Sequence, residues 1–218
     1  MIVFDKVTYR YHYEQFDIFK ELSFSLTEDV NTILCGEQGG KSSICKLLCN
    51  QIAPQSGTVT IDGIQCNENA DNGVLWLPSK PTFFERRSVL FNIAYPLQVR
   101  KVAKLQRDII AKQLAEQFGL PADTKVSKLT PQQKRTLAIA RGLTVERKVV
   151  LFDDFFNDKQ QLQQTLQLFP DTTKVILTSH ASLATGHTVV IDCGECIFQG
   201  DAIKAVDACQ GIVGIIKE

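Results

Sequence analysis

The residues with the clearest chemical potential form a glycine-rich run, Cys35-Gly36-Glu37-Gln38-Gly39-Gly40-Lys41-Ser42-Ser43. The pattern is close to G-x-x-x-x-G-K-[ST], in which backbone N–H groups cradle phosphates, the lysine reaches the β- and γ-phosphates and the hydroxyl holds Mg²⁺. Only three residues separate Gly36 from Gly40, so the loop measured from Gly36 is one residue short. The shortening predicts one or two misplaced N–H donors, each worth ~1.5–3 kcal/mol to a charged partner. The run predicts phosphate binding by Gly36, Gln38, Gly39, Gly40, Lys41, Ser42 and Ser43.

Two further segments supply metal and acid–base chemistry. The apolar run 149–152 ends in Asp153 and Asp154, a pattern that brings one carboxylate to Mg²⁺ and a second to an attacking water. His180 ends another apolar run, where an imidazole can donate to a γ-phosphate. Each feature also has a structural explanation, namely a buried strand that ends in a solvated acidic turn and a capping or core histidine.

The elements that must position these residues are indicated by two kinds of pattern. Four short apolar runs, 32–35, 74–77, 149–152 and 175–177, are typical of strands buried on both faces of a parallel sheet. The first run leads through the glycine loop into a helical segment at 42–50, which is the context that a phosphate-binding loop requires. Three other segments, 1–11, 22–26 and 57–63, predict a small antiparallel sheet.

The middle of the chain, from about 88 to 143, is dominated by helix signals. Ile110, Leu114 and Phe118 place an apolar stripe on one helix that ends near Gly119. Pro131 suits the first turn of the next helix. An insert of helices between the strands of a parallel sheet predicts a separate lobe. The Gln-rich run 159–169 predicts a short amphipathic helix.

Composition narrows the classes of function. The 218 residues carry 24 basic and 24 acidic side chains, so the net charge does not favour binding to nucleic acid. Nucleic acid is therefore not expected as a partner. No secretory signal and no apolar run of the ~20 residues that span a bilayer is visible. Seven scattered cysteines suit a reducing cytosol. Cys193 and Cys196 have zinc-site spacing, but the flanking apolar residues favour a hairpin turn.

The order of these landmarks resembles the ATP-binding cassette (ABC) ATPases of transporters along nearly the whole chain. The segments Val7-Thr-Tyr-Arg-Tyr11, Ile52 to Gly63, Ser88 to Leu97 and Ala140-Arg141-Gly142-Leu143 are similar to family motifs around the loop and the paired acids. The resemblance implies an α/β P-loop NTPase core with a mostly parallel sheet, a small antiparallel β-subdomain (about 1–30 and 55–70) and an inserted α-helical lobe (about 86–145), forming a single nucleotide-binding domain over 1–218.

The same resemblance implies roles and partners. Tyr11 is expected to support adenine, Ser42 and Asp153 to hold Mg²⁺, and Asp154 and His180 to act in catalysis, with ATP as the nucleotide. The family pairs two cassettes head to tail, so a second cassette, in a homodimer or heterodimer, is an expected partner. A polytopic membrane subunit on another chain is the other, which places the protein in the cytoplasm at the inner face of a membrane.

Several positions depart from the family pattern. Leu129-Thr-Pro-Gln-Gln133 stands where the family has L-S-G-G-Q, and Pro131 removes an N–H. Ser79 replaces the glutamine of the Q-loop, and Asp154 replaces the usual glutamate with a shorter carboxylate. Phe155 and Phe156 replace a polar D-loop, either as core or as a new interface.

These patterns predict an ATP-binding subunit of an ABC-type transporter, or of a related membrane complex, that binds Mg-ATP and hydrolyses it slowly if at all. The alternative is a catalytically inactive, degenerate cassette that acts as a regulatory or structural subunit. A P-loop kinase is disfavoured by the signature-like segment and by His180. Nucleotide titration and turnover assays separate these hypotheses.

Overall fold

The computed structural model describes residues 1–36, 38–67, 71–209 and 211–216, and Glu37 of the glycine-rich run lies outside them. The strands are β1 (Ile2–Tyr9), β2 (Phe19–Leu26), β3 (Val30–Cys35), β4 (Ser56–Ile61), β5 (Ile64–Gln65), β6 (Val74–Pro78), β7 (Val149–Asp153), β8 (Thr173–Thr178), β9 (His187–Asp192) and β10 (Glu195–Asp201). The α-helices are α1 (Lys41–Leu48), α2 (Val89–Val99), α3 (Lys104–Gln117), α4 (Pro131–Gly142), α5 (Lys159–Leu166) and α6 (Ala202–Ala208). The chain divides into two compact units, Met1–Trp76 with Arg147–Glu218, and Leu77–Glu146.

A six-stranded sheet, in the order β10-β9-β3-β8-β7-β6, forms the centre of the first unit. The pairs β3–β8, β3–β9 and β7–β8 are parallel, which confirms the predicted parallel sheet. Its central strands β3, β7 and β8 are buried over almost their whole length, as expected for a parallel sheet with both faces covered. The carboxyl ends of parallel strands lie at one edge, so β3, β7 and β8 deliver the glycine loop, the paired acids and His180 to the same edge.

The second sheet of this unit has the order β2-β1-β4-β5, and all of its pairs are antiparallel, as predicted. Phe4 and Phe24 stack across β1 and β2 with ring centroids 4.5 Å apart. Strand β2 also contacts β10 of the larger sheet: the Gln199 side chain accepts from the Ser25 N–H at 3.2 Å and donates to the Ser25 hydroxyl at 3.1 Å. The two sheets therefore enclose one apolar core with α1.

The pair of cysteines with zinc-site spacing belongs to the β9–β10 hairpin, as predicted. Cys193 and Gly194 form its two-residue turn, with φ angles of 48° and 82°. Such angles are those of a type I′ turn, which matches the twist of paired strands. All seven cysteines lie in the described ranges, and none of them forms a disulfide there.

The unit Leu77–Glu146 contains α2, α3 and α4 around its own apolar core. Pro131 opens α4, which confirms its predicted place in the first turn. On α3, Leu114 and Phe118 pack against the core, but its fully buried residues are Ala111 and Ala115. The buried face is thus centred one residue later than predicted. No helix in the described ranges has the length and apolar character needed to cross a bilayer.

Candidate functional site

The glycine-rich loop connects β3, which ends at Cys35, to α1, which begins at Lys41. Counted back from Lys41, the pattern G-x-x-x-x-G-K-[ST] places its first glycine at Cys35. The prediction of a loop one residue short is therefore corrected: its length is complete, and a cysteine replaces the first glycine at the end of the strand. Burial raises the pKa of the Cys35 thiol to about 12, so this side chain is a neutral part of the core.

The conformation of the loop depends on glycine at its last position. Gly40 has φ 90°, and a Cβ there would lie 2.6 Å from the ring of Phe19. Gly39 donates its N–H to the Gly36 carbonyl at 3.0 Å, which closes the turn. Gln38, between them, has φ 65°, a left-handed conformation that is strained for a residue with a side chain. Gly39 and Gly40 thus form a compact turn that leads into α1, and the first N–H groups of a helix suit an anion.

Lys41 lies at the centre of the candidate site. Its side chain is only 8% exposed, and its ammonium donates to the carbonyls of Cys35 and Gly36 at 3.3 and 3.1 Å. The same ammonium lies 3.4 Å from Asp154 Oδ2. A buried ammonium needs several such oxygen partners to offset its lost hydration. The lysine is therefore fixed by the loop itself and points at Asp154, directly after β7.

Ser42 and Asp153 form a pair of oxygen donors beside this lysine. The Ser42 hydroxyl donates to Asp153 Oδ2 at 3.1 Å, and Asp153 is 6% exposed. Burial raises the pKa of Asp153, and the charge of Asp154 adds to this, while the Ser42 hydrogen bond opposes it. The indole of Trp76 lies near the same carboxylate, but within the described ranges its Nε1 makes no hydrogen bond of standard geometry. A divalent cation would favour the ionised carboxylate and satisfy both oxygens.

The raised pKa of Asp153 predicts a pH-dependent cost to stability. The folded state binds this proton more tightly than the unfolded chain, so stability falls as pH rises from the ordinary aspartate range through the folded-state pKa. Asp153→Asn should therefore stabilise the protein at neutral pH, without Mg²⁺ or nucleotide, and the gain should shrink in acid. Urea denaturation at pH 4.5 and pH 8 measures this, with the exposed Asp207→Asn as control. An equal effect at both pH values would contradict the prediction.

Asp154 has an unusual backbone and an incompletely satisfied side chain. Its φ is 45°, and its N–H donates to the Leu177 carbonyl at 2.9 Å. One carboxylate oxygen contacts Lys41, while Oδ1 is buried and has no hydrogen-bond partner in the described part of the chain. A left-handed aspartate costs ~1–3 kcal/mol, and such strain is concentrated at functional sites. The turn after β7 thus directs an acceptor into the space beside the lysine.

Tyr11, the expected support for adenine, is held by contacts with α1. Its hydroxyl lies 3.2 Å from the Ser43 hydroxyl and accepts from Lys46 Nζ at 3.1 Å. The Lys46 ammonium is also 5.1 Å from the ring centroid, and Tyr9 meets the ring edge-on at 5.0 Å. Lys46 is a contact that the motifs do not reveal. The signal available in the sequence is its spacing, since it lies three residues after Ser43 and hence on the same face of α1.

His180 is fixed mainly by its backbone. Its N–H donates to the Thr178 hydroxyl at 3.0 Å, and it forms a parallel bridge with Ile216. Direct contacts therefore gather Lys41, Ser42, Asp153 and Asp154, and they link Tyr11 to Ser43, whereas a different set of contacts holds His180.

Two other departures from the family pattern have structural explanations. Phe155 and Phe156 are 1% and 4% exposed and pack on Phe152, so they are core in this structure rather than an interface. Thr130 and Gln133 form a reciprocal capping box: the Gln133 N–H donates to the Thr130 hydroxyl at 3.2 Å, and the Gln133 side chain accepts from the Thr130 N–H at 3.0 Å. The signature-like segment therefore starts α4.

The arrangement fits Mg-nucleotide chemistry. The paired oxygens of Ser42 and Asp153 are the hard donors that Mg²⁺ prefers, and magnesium in such sites takes its other ligands from water and phosphate. The Lys41 ammonium and the N–H groups at the start of α1 suit phosphate oxygens.

Comparison with known proteins agrees with this chemistry. The family model described as "ABC transporter" matches residues 19–157. The lactococcin-A transport/processing ATP-binding protein LcnC of Lactococcus lactis subsp. lactis is 28% identical over 220 residues, with 90% of this chain covered. The chain spans only 30% of the length of that relative.

A second relative and a solved structure agree more closely in length. The taurine import ATP-binding protein TauB of Pseudomonas entomophila is 25% identical over 191 residues, which covers 83% of this chain and 73% of TauB. The ATP-binding cassette MJ0796, solved as a dimer in a post-hydrolysis state with ADP and Pi, superposes with a TM-score of 0.75 at 19% identity, covering 93% of this chain and 99% of MJ0796. That superposition establishes the shared fold.

Proposed function

Because the chain belongs to the ABC transporter family, we propose that it is a nucleotide-binding cassette that binds Mg-ATP and couples the bound state to a membrane subunit on another chain. The observation that carries the proposal is the direct contact of Ser42 with Asp153 and of Lys41 with Asp154. Residues from two separate motifs, more than a hundred positions apart, meet as one cluster of a cation, a hydroxyl and two carboxylates.

Each residue has a role in this proposal. Lys41 and the N–H groups of the loop bind the β- and γ-phosphates, while Ser42 and Asp153 hold Mg²⁺, which neutralises phosphate charge when bound. Tyr11, braced by Lys46 and Ser43, supports the base. Asp154 directs its free oxygen toward a water, and His180 donates to the terminal phosphate. Gly36, Gln38, Gly39 and Gly40 shape the loop.

The assembly belongs to the same proposal. A second cassette, as a homodimer or heterodimer, and a polytopic membrane subunit are the partners, and the protein works in the cytoplasm at a membrane surface. The same proposal divides the chain into a β-subdomain, a helical lobe and a P-loop core. Co-purification from membranes solubilised in detergent identifies the membrane subunit.

The alternative function is a cassette that binds nucleotide without turning it over. The observation that favours it is the contact between Lys41 and the candidate base, Asp154, at 3.4 Å. A carboxylate oxygen engaged with an ammonium is not free to accept the proton of an attacking water. Comparison of phosphate release by the wild type and Asp154→Asn distinguishes the two functions: equal, negligible rates favour the alternative.

Binding itself is tested through Trp76, the single tryptophan, which lies near Asp153. Titration with Mg-ATP should change its fluorescence saturably, and EDTA should weaken the binding. Ser42→Ala should lower the affinity for Mg-ATP roughly tenfold, because the loss of one hydrogen bond or ligand to a charged group costs about 1.5 kcal/mol. Ser127→Ala, at an exposed position, is the matched control. Failure of the wild type to bind at millimolar Mg-ATP would contradict the proposal.

A further inference from the structure

The segment 211–216 makes contacts at two places in the candidate site, and no motif accounts for it. It follows α6 and is called here the strap. Ile212 and Ile215 pack against an apolar cluster that includes Leu34 and Val190, on the side of the six-stranded sheet that α6 covers. The strap is therefore anchored by side chains, and its backbone is available for other contacts.

One contact of the strap is with the first residue of the glycine loop. A Cβ built on Gly36 would lie 2.4 Å from the Val213 carbonyl oxygen and 3.5 Å from Gly214. Carbon and oxygen atoms do not approach so closely without a bond, so the loop and the strap would have to move apart to admit any side chain at position 36. The absence of a side chain at Gly36 therefore allows the backbone of the strap to lie against the glycine loop.

The other contact is with the backbone on both sides of His180. The Ile216 N–H donates to the Ser179 carbonyl at 2.7 Å, and the Ala181 N–H donates to the Ile216 carbonyl at 2.7 Å. Ile216 and His180 are therefore paired as neighbours in a parallel bridge. These two hydrogen bonds fix the peptide groups on either side of the histidine and so restrict the position of its Cα atom.

From these two contacts we infer that the strap is a positioning element of the nucleotide site, which sets His180 relative to the glycine loop. Only Gly214 and Ile215 separate Val213 from Ile216, so a displacement at Gly36 passes to His180 over a short, anchored backbone. The inference rests on the proposed binding of Mg-ATP. Since His180 is assigned to the terminal phosphate, the strap should matter for ATP and little for ADP.

The link between Gly36 and His180 through the strap is tested on the protein without nucleotide. Hydrogen exchange at the Ala181 N–H should be slow in the wild type and at least tenfold faster in Gly36→Ala, where the new methyl group displaces the strap. Ile216→Ala keeps the backbone N–H and should leave this exchange slow. Unchanged exchange at Ala181 in Gly36→Ala would overturn the inference.

The functional part is tested by comparing Ile216→Pro, which removes the N–H bonded to Ser179, with Ile216→Ala. Ile216→Pro should weaken Mg-ATP binding roughly tenfold and Mg-ADP binding less than about twofold, and Ile216→Ala should change neither beyond twofold. Equal loss for both nucleotides would indicate a general structural role and overturn the inference, as would unchanged or tighter ATP binding. A wild type that binds neither nucleotide would refute the proposed function, while the exchange experiment would still decide whether the strap links Gly36 to His180.

Discussion

Replacement of Lys41 by methionine is expected to weaken Mg-ATP binding by about 100-fold. Methionine keeps most of the apolar stem and removes the ammonium, so the variant isolates the charge. A charge-assisted contact with phosphate in a buried site is worth about 3 kcal/mol, which corresponds to roughly two orders of magnitude in affinity. Isothermal titration calorimetry measures the affinity directly.

The control for this variant is Lys112→Met, at an exposed position on α3. It makes the same chemical change outside the candidate site and should leave the affinity unchanged. Circular dichroism is needed beside both titrations, because Lys41 also contacts two carbonyls and Asp154 in the folded protein. A folded Lys41→Met protein with wild-type affinity would refute the assignment of Lys41 to phosphate.

The largest expected effect on stability is that of Phe152→Ala. Phe152 is fully buried on β7, and its ring lies 4.9 Å from Phe156 and 5.9 Å from Phe155 and Phe169, measured between centroids. Truncation of a buried phenylalanine leaves a cavity and costs about 3–5 kcal/mol. Urea denaturation should show this loss of unfolding free energy.

Two other substitutions calibrate the result. Phe152→Leu retains most of the volume and should cost less than Phe152→Ala. Phe16→Ala changes a side chain that is 78% exposed and should stay within about 0.5 kcal/mol of the wild type. If Phe152→Ala cost no more than Phe16→Ala, the four rings would not form a core cluster.

Much of the fold was predictable because burial on two faces leaves a distinct pattern in the sequence. The runs that became β3, β7 and β8 are short and apolar, which is typical of strands in a parallel sheet with both faces covered. The order of the strands was not predictable, since the sequence of one strand does not determine which strand lies beside it in the sheet. The expected shortening of the glycine loop is wrong because it is counted from Gly36, whereas counting back from Lys41 places the first position of the pattern at Cys35.

The candidate site was also predictable only in part. Fixed motif spacing pointed to Lys41, Ser42, Asp153 and Asp154 without knowledge of the fold. The Lys46 contact with Tyr11 depends on how β1 packs over α1, and the strap at 211–216 has no periodic pattern to mark it. Such contacts join segments far apart in the chain, so only the folded structure reveals them.

The contact between Gln199 and Ser25 has a consequence for how this protein meets other chains. Strands β2 and β10 are each the outer strand of their sheet, and outer strands carry unpaired N–H and C=O groups that recruit further strands. Here the two outer strands lie beside each other, and the Gln199 amide occupies the Ser25 N–H that a foreign strand would need. A strand of another molecule therefore cannot pair with β2 at Ser25 without breaking this contact.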